Sequence, residues 1–231
     1  MHLSSLRRME WFVQHYLADK GRKLSVLDVG SYDVNGSYKQ YFDVSRFDYF
    51  GLDMADGPNV DIVPASPYLW KEIADDTFDI VISGQALEHI EFFWITVGEM
   101  TRVLKKDGIL CIIAPNGFGE HRYPVDCWRF FTDGMVALAR YVNLQVLHAH
   151  TNCAPSKNDR EWFSASNADA MLVARKPYTG KAVLLNLEGY KCAPANLEEI
   201  RQDMVPYASS TNSTNIFHRI YRKIGRIIGA I

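Results

Sequence analysis

An α/β fold, doubly wound around a mostly parallel sheet with helices on both faces, is what three features of the chain predict. Short apolar runs alternate with helical or loop stretches; the first run, LSVLDVG, ends in a glycine turn at Gly30; and the second, FDYFGLD, ends in the acidic Asp53. The elements follow in order. Residues 4–18 place Leu6, Met9, Val13, Tyr16 and Leu17 at helical spacing behind Ser4 and Ser5, which are expected to cap a covering helix. Strands are expected at 24–29, 47–53, 60–63, 78–83 and 108–114, each an apolar run suited to a buried parallel strand. Residues 91–105 are the clearest helix between them, with Phe92, Ile95, Met100, Val103 and Leu104 apolar and Gly108 after its end. A long loop over 115–131 precedes a helix at 132–140. Two further runs, NLQVLHAH and DAMLVARK, close a seven-stranded sheet.

Alternation stops at Lys176, which divides the chain into a domain over 1–175 and an extension over 176–231. The extension holds a polar linker, SSTNSTN, and ends in IFHRIYRKIGRIIGAI. At 100° per residue Ile216, Ile220, Ile224, Ile227 and Ile231 gather within about 80°, while Arg219, Arg222, Lys223 and Arg226 fall in a separate sector. Such a helix either docks its isoleucine face on protein or lies on an anionic membrane surface.

Of 231 residues, 48% are hydrophobic and 23% charged, which excludes disordered and collagen-like classes. The net charge of −2 gives no support for a nucleic-acid partner. Cys111, Cys127, Cys153 and Cys192 are scattered without a C-x-x-C pair, as suits a reducing compartment. Arg7 and Arg8 interrupt the first apolar stretch, and no run approaches a membrane span, so a cytoplasmic location is expected, with the basic tail as a contact to the inner membrane surface. The oligomeric state is left open.

A glycine turn after the first strand brings backbone N–H groups towards a ligand, and a carboxylate at the end of the next strand can accept both hydroxyls of a ribose. Gly30 and Asp53 stand at those places. His89, in LEHIE, is the candidate general base, since an imidazole takes a proton near neutrality; a structural hydrogen bond at a helix start is the competing role. Glu88 stands open between a capping carboxylate and a functional group. In the loop after 114, Tyr123, Trp128 and Phe130 can stack on a sugar face, and His121, Asp126 and Arg129 can bond its hydroxyls. Trp128 and Phe131 serve equally as anchors to the core. His121, Cys127, His148 and His150 have no spacing that yields a four-ligand zinc set, so no metal is expected.

The strings VLDVGSYDVNGS, GLD and FDIVISGQALEHIEFFWITVGEMTRVLKKDGILCIIAPN resemble a class I S-adenosylmethionine-dependent methyltransferase over about residues 20–175. They are most similar to bacterial members associated with surface-polysaccharide and lipopolysaccharide biosynthesis. The resemblance implies a Rossmann-like sheet and S-adenosylmethionine as cofactor. Gly30 and Ser31 would then lie along the methionine portion, with Asp28 orienting the loop and Tyr32 lying as a lid or packed. Asp53 would hold the ribose, Met54 would cover the adenine, and Ser83, Gly84 and Gln85 would line the other side. The family's D-x-G-x-G-x-G turn is altered, Tyr32 and Val34 standing where its later glycines would be. The resemblance implies methyl transfer to oxygen, less favourably nitrogen, of a small molecule or glycan intermediate. A non-catalytic nucleoside-binding or assembly subunit is the alternative. A nicotinamide-dependent dehydrogenase fits poorly, for want of a full G-x-G-x-x-G.

Overall fold

The computed structural model describes residues 3–17, 20–117, 119–151 and 168–178, and the fold is that of these residues. The strands are β1 (Leu24–Val29), β2 (Phe47–Leu52), β3 (Phe78–Gly84), β4 (Leu104–Gly117), β5 (Gln145–Thr151) and β6 (Ala168–Arg175). They form one sheet in the order β2-β1-β3-β4-β6-β5. The pairs β2/β1, β1/β3 and β3/β4 are parallel, and β6 runs antiparallel to both β4 and β5.

Strand alternation sorts the apolar residues onto two faces, as a sheet buried on both sides requires. Val26, Ile80, Ile82, Cys111, Ile113, Met171 and Val173 pack under α1 (Leu3–Tyr16) through Met9, Phe12 and Val13. Leu27, Val29, Val81, Leu110, Ile112, Leu172 and Ala174 pack under α2 (Phe93–Val103) and α3 (Thr132–Tyr141) through Val97, Met100, Val103, Met135 and Leu138. The doubly wound architecture is therefore as the sequence predicts.

Three expectations need correction. The run at 60–63 contributes a bridge between Ile62 and Leu52 and no strand, so the sheet has six strands among the described residues. Asn59 is in the left-handed region at φ 66°, and the N–H groups of Asp61 and Ile62 both converge on the Gly51 carbonyl, at 2.8 and 2.9 Å. Two donors spent on one acceptor break the regular ladder, and Pro64 cannot extend it. Next, Ser4 and Ser5 do not cap α1: they lie within it, buried, facing the sheet. Lastly, Leu104 and Lys105 leave α2 for β4, Leu104 pairing with Phe78 before the register slips to Ile80 opposite Ile109.

No helix among the described residues is long and apolar enough to cross a membrane. Nearly all of the extension, including the expected helix over 216–231, and also Cys153 and Cys192 lie outside the described residues.

Candidate functional site

The candidate site lies at the carboxyl end of the parallel strands, where loops leave backbone groups unpaired by the sheet. β1 ends in Gly30, at φ 82°, whose N–H donates to the Leu52 carbonyl at 2.8 Å. A Cβ built on Gly30 would come 2.4 Å from that of Ala86, so only glycine lets the turn approach the segment after β3. The turn is tied to the loop after β2: Ser31 Oγ donates to the Asn59 carbonyl at 2.9 Å, and the Asp33 N–H to the Pro58 carbonyl at 3.0 Å. Tyr32 lies over Gly57.

Asp53 follows β2 directly. Its carboxylate accepts the Tyr32 N–H at 3.1 Å on one oxygen and the Ala55 N–H at 3.3 Å on the other. It is half-buried, and each oxygen keeps acceptor capacity, so the side chain both holds the turn and can meet a further donor. Met54 beside it is exposed. Asp28 is buried and bonds the Tyr49 hydroxyl on the neighbouring strand. Burial pushes its carboxyl up to about 7 against the lowering effect of that bond. Among the described residues Asp28 accepts no backbone N–H, and Asp53 holds the loop instead.

At the end of β3, Ser83 Oγ donates to the Val29 carbonyl at 2.8 Å. Gly84 lies beneath Tyr38, whose hydroxyl would sit 1.8 Å from a Cβ there. Gln85 is left-handed at φ 57°, a strained state for a side-chain-bearing residue. Its Nε2 donates to Asp169 at 3.0 Å, while its buried Oε1 meets no donor among the described residues.

The LEH turn forms a short 3-10 helix over Leu87–His89. His89 Nδ1 lies 2.6 Å from the Val125 carbonyl. A carbonyl only accepts, so Nδ1 carries the proton and Nε2 keeps its lone pair. Burial lowers the His89 pKa despite that bond, which favours the neutral ring. Glu88 does not cap a helix. It is fully buried, and neither carboxylate oxygen has a hydrogen-bond partner among the described residues. Burial raises its carboxyl to about 8.

The loop after β4 is a scaffold as much as a pocket wall. Arg129 grips Asp126 in a fork, at 2.6 and 2.7 Å, and Asp126 also accepts the His121 N–H at 2.7 Å. Burial opposes ionisation of Asp126, but the Arg129 fork wins and holds the carboxyl well below its usual range. Trp128 donates to the Glu91 carbonyl at 3.1 Å and packs on Phe93, while Phe130 is buried against the same ring. Trp128 and Phe130 are thus the anchors, and Phe131 is exposed. Tyr123 is exposed, and the His121 ring meets His89 edge-on with centroids 4.9 Å apart. The four residues weighed for zinc do not converge: His148 and His150 lie on β5, and the group brought together is Glu88, His89 and His121.

A polar cluster under α1 escaped the sequence reading. Ser4 Oγ donates to Asp169 at 2.6 Å, Arg8 lies 3.6 Å from the same carboxylate, and Ser5 Oγ meets the Tyr38 hydroxyl at 2.5 Å. The legible signal was Ser5 and Arg8 sharing a stripe with Phe12 on the apolar face.

The six-stranded, doubly wound sheet with its candidate site at the carboxyl end of the parallel strands is a fold shared with solved methyltransferases. Residues 27–112 match the family model described as a methyltransferase domain. Among solved structures, the chain is similar to a Burkholderia thailandensis 1,6-didemethyltoxoflavin-N1-methyltransferase with bound S-adenosylhomocysteine, at 17% identity and TM-score 0.56, covering 76% of this chain and 79% of that one. It is also similar to the [4+2]-cyclase SpnF, at 15% identity and TM-score 0.55, covering 74% and 80%. A third is the Haemonchus contortus phosphoethanolamine N-methyltransferase 2 in complex with S-adenosyl-L-methionine, at 12% identity and TM-score 0.54, covering 74% and 52%. No curated protein matches the sequence. The match over residues 27–112 agrees with the resemblance that the sequence carries to S-adenosylmethionine-dependent methyltransferases.

The residues present suit that cofactor. The Asp53 carboxylate retains capacity for hydroxyl donors, and the orphaned Gln85 Oε1 is an acceptor for an ammonium group.

Proposed function

We propose that the chain transfers a methyl group from S-adenosylmethionine to an oxygen of a small-molecule or glycan acceptor, with nitrogen the less favoured atom. The observation that carries this reading is the half-buried Asp53 carboxylate, joined to the Gly30 turn through the Tyr32 N–H. When bound, S-adenosylmethionine supplies a methyl group on a sulfonium, and in-line transfer asks the protein mainly for alignment. Asp53 accepts the ribose hydroxyls and Met54 covers the adenine. Gly30, Ser31, Ser83, Gly84 and Gln85 border the methionine portion. His89, neutral and with Nδ1 held by Val125, presents Nε2 to take the proton of an acceptor hydroxyl. His121, Tyr123 and the ring of Trp128 contact the acceptor; Asp126 and Arg129 hold their loop in shape.

Calorimetry with S-adenosylhomocysteine tests the cofactor site. Asp53→Ala is expected to weaken binding by about 10²-fold, the scale of two bonds to a charged acceptor; unchanged affinity would remove the assignment. His89→Ala is expected to lower turnover roughly 10²-fold while leaving that binding intact. A near-normal rate would dismiss the base. Because SpnF shares the fold and is a cyclase, turnover to the demethylated cofactor is the decisive readout. A role in polysaccharide biosynthesis at the inner membrane surface belongs to the same reading. It predicts co-sedimentation with anionic vesicles that is lost when residues 216–231 are removed.

A further inference from the structure

We propose that Glu88, His89 and His121 form a seat for a divalent transition-metal cation beside the acceptor side of the cleft. One donor atom from each of the three lies within 4.8 Å of the others. Glu88 is the independent indication. Its side chain is fully buried, and both oxygens are without a hydrogen-bond partner among the described residues. A buried carboxyl group without a partner is costly whether it ionises or keeps its proton, and pairing or metal coordination is the usual remedy. The nearest imidazole nitrogen, His89 Nε2, is 3.8 Å from Glu88 Oε1, too far for a hydrogen bond and within the span of two ligands on one ion. With bonds of about 2.0–2.2 Å, tetrahedral ligands on one cation stand roughly 3.4 Å apart, so closing the triad from its widest 4.8 Å asks for side-chain shifts of about 1.5 Å.

Backbone carbonyls hold both rings in place. His89 Nδ1 lies 2.6 Å from the Val125 carbonyl, and His121 Nδ1 lies 3.2 Å from that of Gly119. The Val125 carbonyl fixes the proton of His89 on Nδ1 and leaves the lone pair of its Nε2 for a ligand bond, the arrangement that metal-bound histidines use. Asp126 is no rival ligand, since its oxygens are taken by the fork of Arg129 and the His121 N–H, and that fork also neutralises the nearest guanidinium. Two imidazoles and one carboxylate suit zinc and its first-row neighbours rather than magnesium or calcium. Three protein ligands leave a position open, as in catalytic rather than structural sites. That open position favours an acceptor offering an oxygen, whose proton the cation would loosen; with Nε2 on the metal, His89 would act as ligand in place of base. The seat rests on these residues alone, while its part in the reaction rests on the methyl-transfer reading.

The test is zinc alone added to the full chain, read by the unfolding midpoint, with cobalt(II) absorption as a second readout. Wild type should gain about 3 °C or more at zinc a hundredfold above its dissociation constant, and cobalt should give one saturable set of d–d bands. Glu88→Gln, isosteric and suited to the fold, and His121→Ala should each lose both signals, while His15→Ala on α1 should keep them. Saturation that persists in Glu88→Gln, or the absence of saturable binding in wild type, overturns the seat. S-adenosylhomocysteine binding measured on the same samples separates the readings: zinc binding without nucleoside binding sinks the cofactor assignment and spares the seat, and the reverse does the opposite.

Discussion

Glu99 and Glu88 are buried carboxylates at opposite ends of the sheet, and they are treated in opposite ways. Glu99, on α2, accepts the Trp70 N–H at 2.7 Å and two bonds from Arg102, at 2.8 and 2.9 Å. Arg102 in turn donates to Asp75 and to the carbonyls of Trp70 and Ile73. Close by, Lys176 Nζ is buried among Asp76 and the carbonyls of Thr101 and Leu104, closing the end of α2. Asp79 on β3 is held likewise by Arg22, Ser25 and Lys105. The carboxyl end instead leaves Glu88, Gln85 Oε1 and Asn59 Oδ1 without partners among the described residues, with only the Trp70 indole N–H as a comparable orphan at the other end. The groups around Glu99 satisfy one another and so stabilise the fold; Glu88, Gln85 Oε1 and Asn59 Oδ1 stand without that compensation, at a cost to stability.

The largest effect should come from breaking the satisfied network. Glu99→Ala strips Arg102 of its closest partner and leaves the Trp70 N–H buried without an acceptor, and we expect a loss of about 3–5 kcal/mol in urea unfolding. A loss under about 1 kcal/mol would show that Asp75 and the carbonyls suffice for Arg102, and the contrast between the two ends would weaken.

Glu88→Gln should act with the opposite sign in metal-free protein. The Glu88 carboxyl is at about 8 in the folded chain, against an ordinary 4.5. Between those values the folded chain retains a proton that the unfolded chain has released, so stability falls as pH rises from about 4.5 to about 8. Asp28, raised to about 7 mainly by burial, contributes the same slope over a lower window. The variant should therefore exceed wild type by an amount that grows from pH 5 to pH 8, on the order of a few kcal/mol at the upper end. Urea midpoints at the two pH values measure it. An equal offset at both would mean that Glu88 ionises freely in the folded chain.

How much of this was readable beforehand follows the range of the interactions. The alternation of strands and helices and the position of Asp53 at the end of the second strand depend on local patterning, and the apolar runs with their terminal Gly30 and Asp53 displayed it, whereas the spatial order of the strands did not appear there. The run at 60–63 looked like its neighbours, and what denied it a strand was the convergence of two N–H groups on Gly51, a matter of turn geometry at Asn59. Ser4 and Ser5 looked like caps because their partners, Asp169 and Tyr38, are far along the chain. Glu88 was the hardest case. Its neighbours in sequence are ordinary, and its isolation arises only when the 119–130 loop folds over it, Cys127 N–H donating to its backbone carbonyl at 2.7 Å. A deficit of partners has no sequence signature.

The smallest expected effect sharpens the contrast from the other side. Lys23 pairs with Asp48 at 3.1 Å near the amino end, but both side chains are about half exposed, at 49% and 53%. Water already solvates each charge, and holding two mobile side chains together costs entropy that offsets most of the Coulomb gain. Lys23→Ala should therefore change stability by no more than about 0.5 kcal/mol, and added salt should erase even that. If it costs as much as Glu99→Ala, the strength of the amino end comes from charge pairing as such. If it is silent while Glu99→Ala is severe, burial is what makes a partner necessary, and the bare carboxylate of Glu88 then has to be read as a group awaiting one.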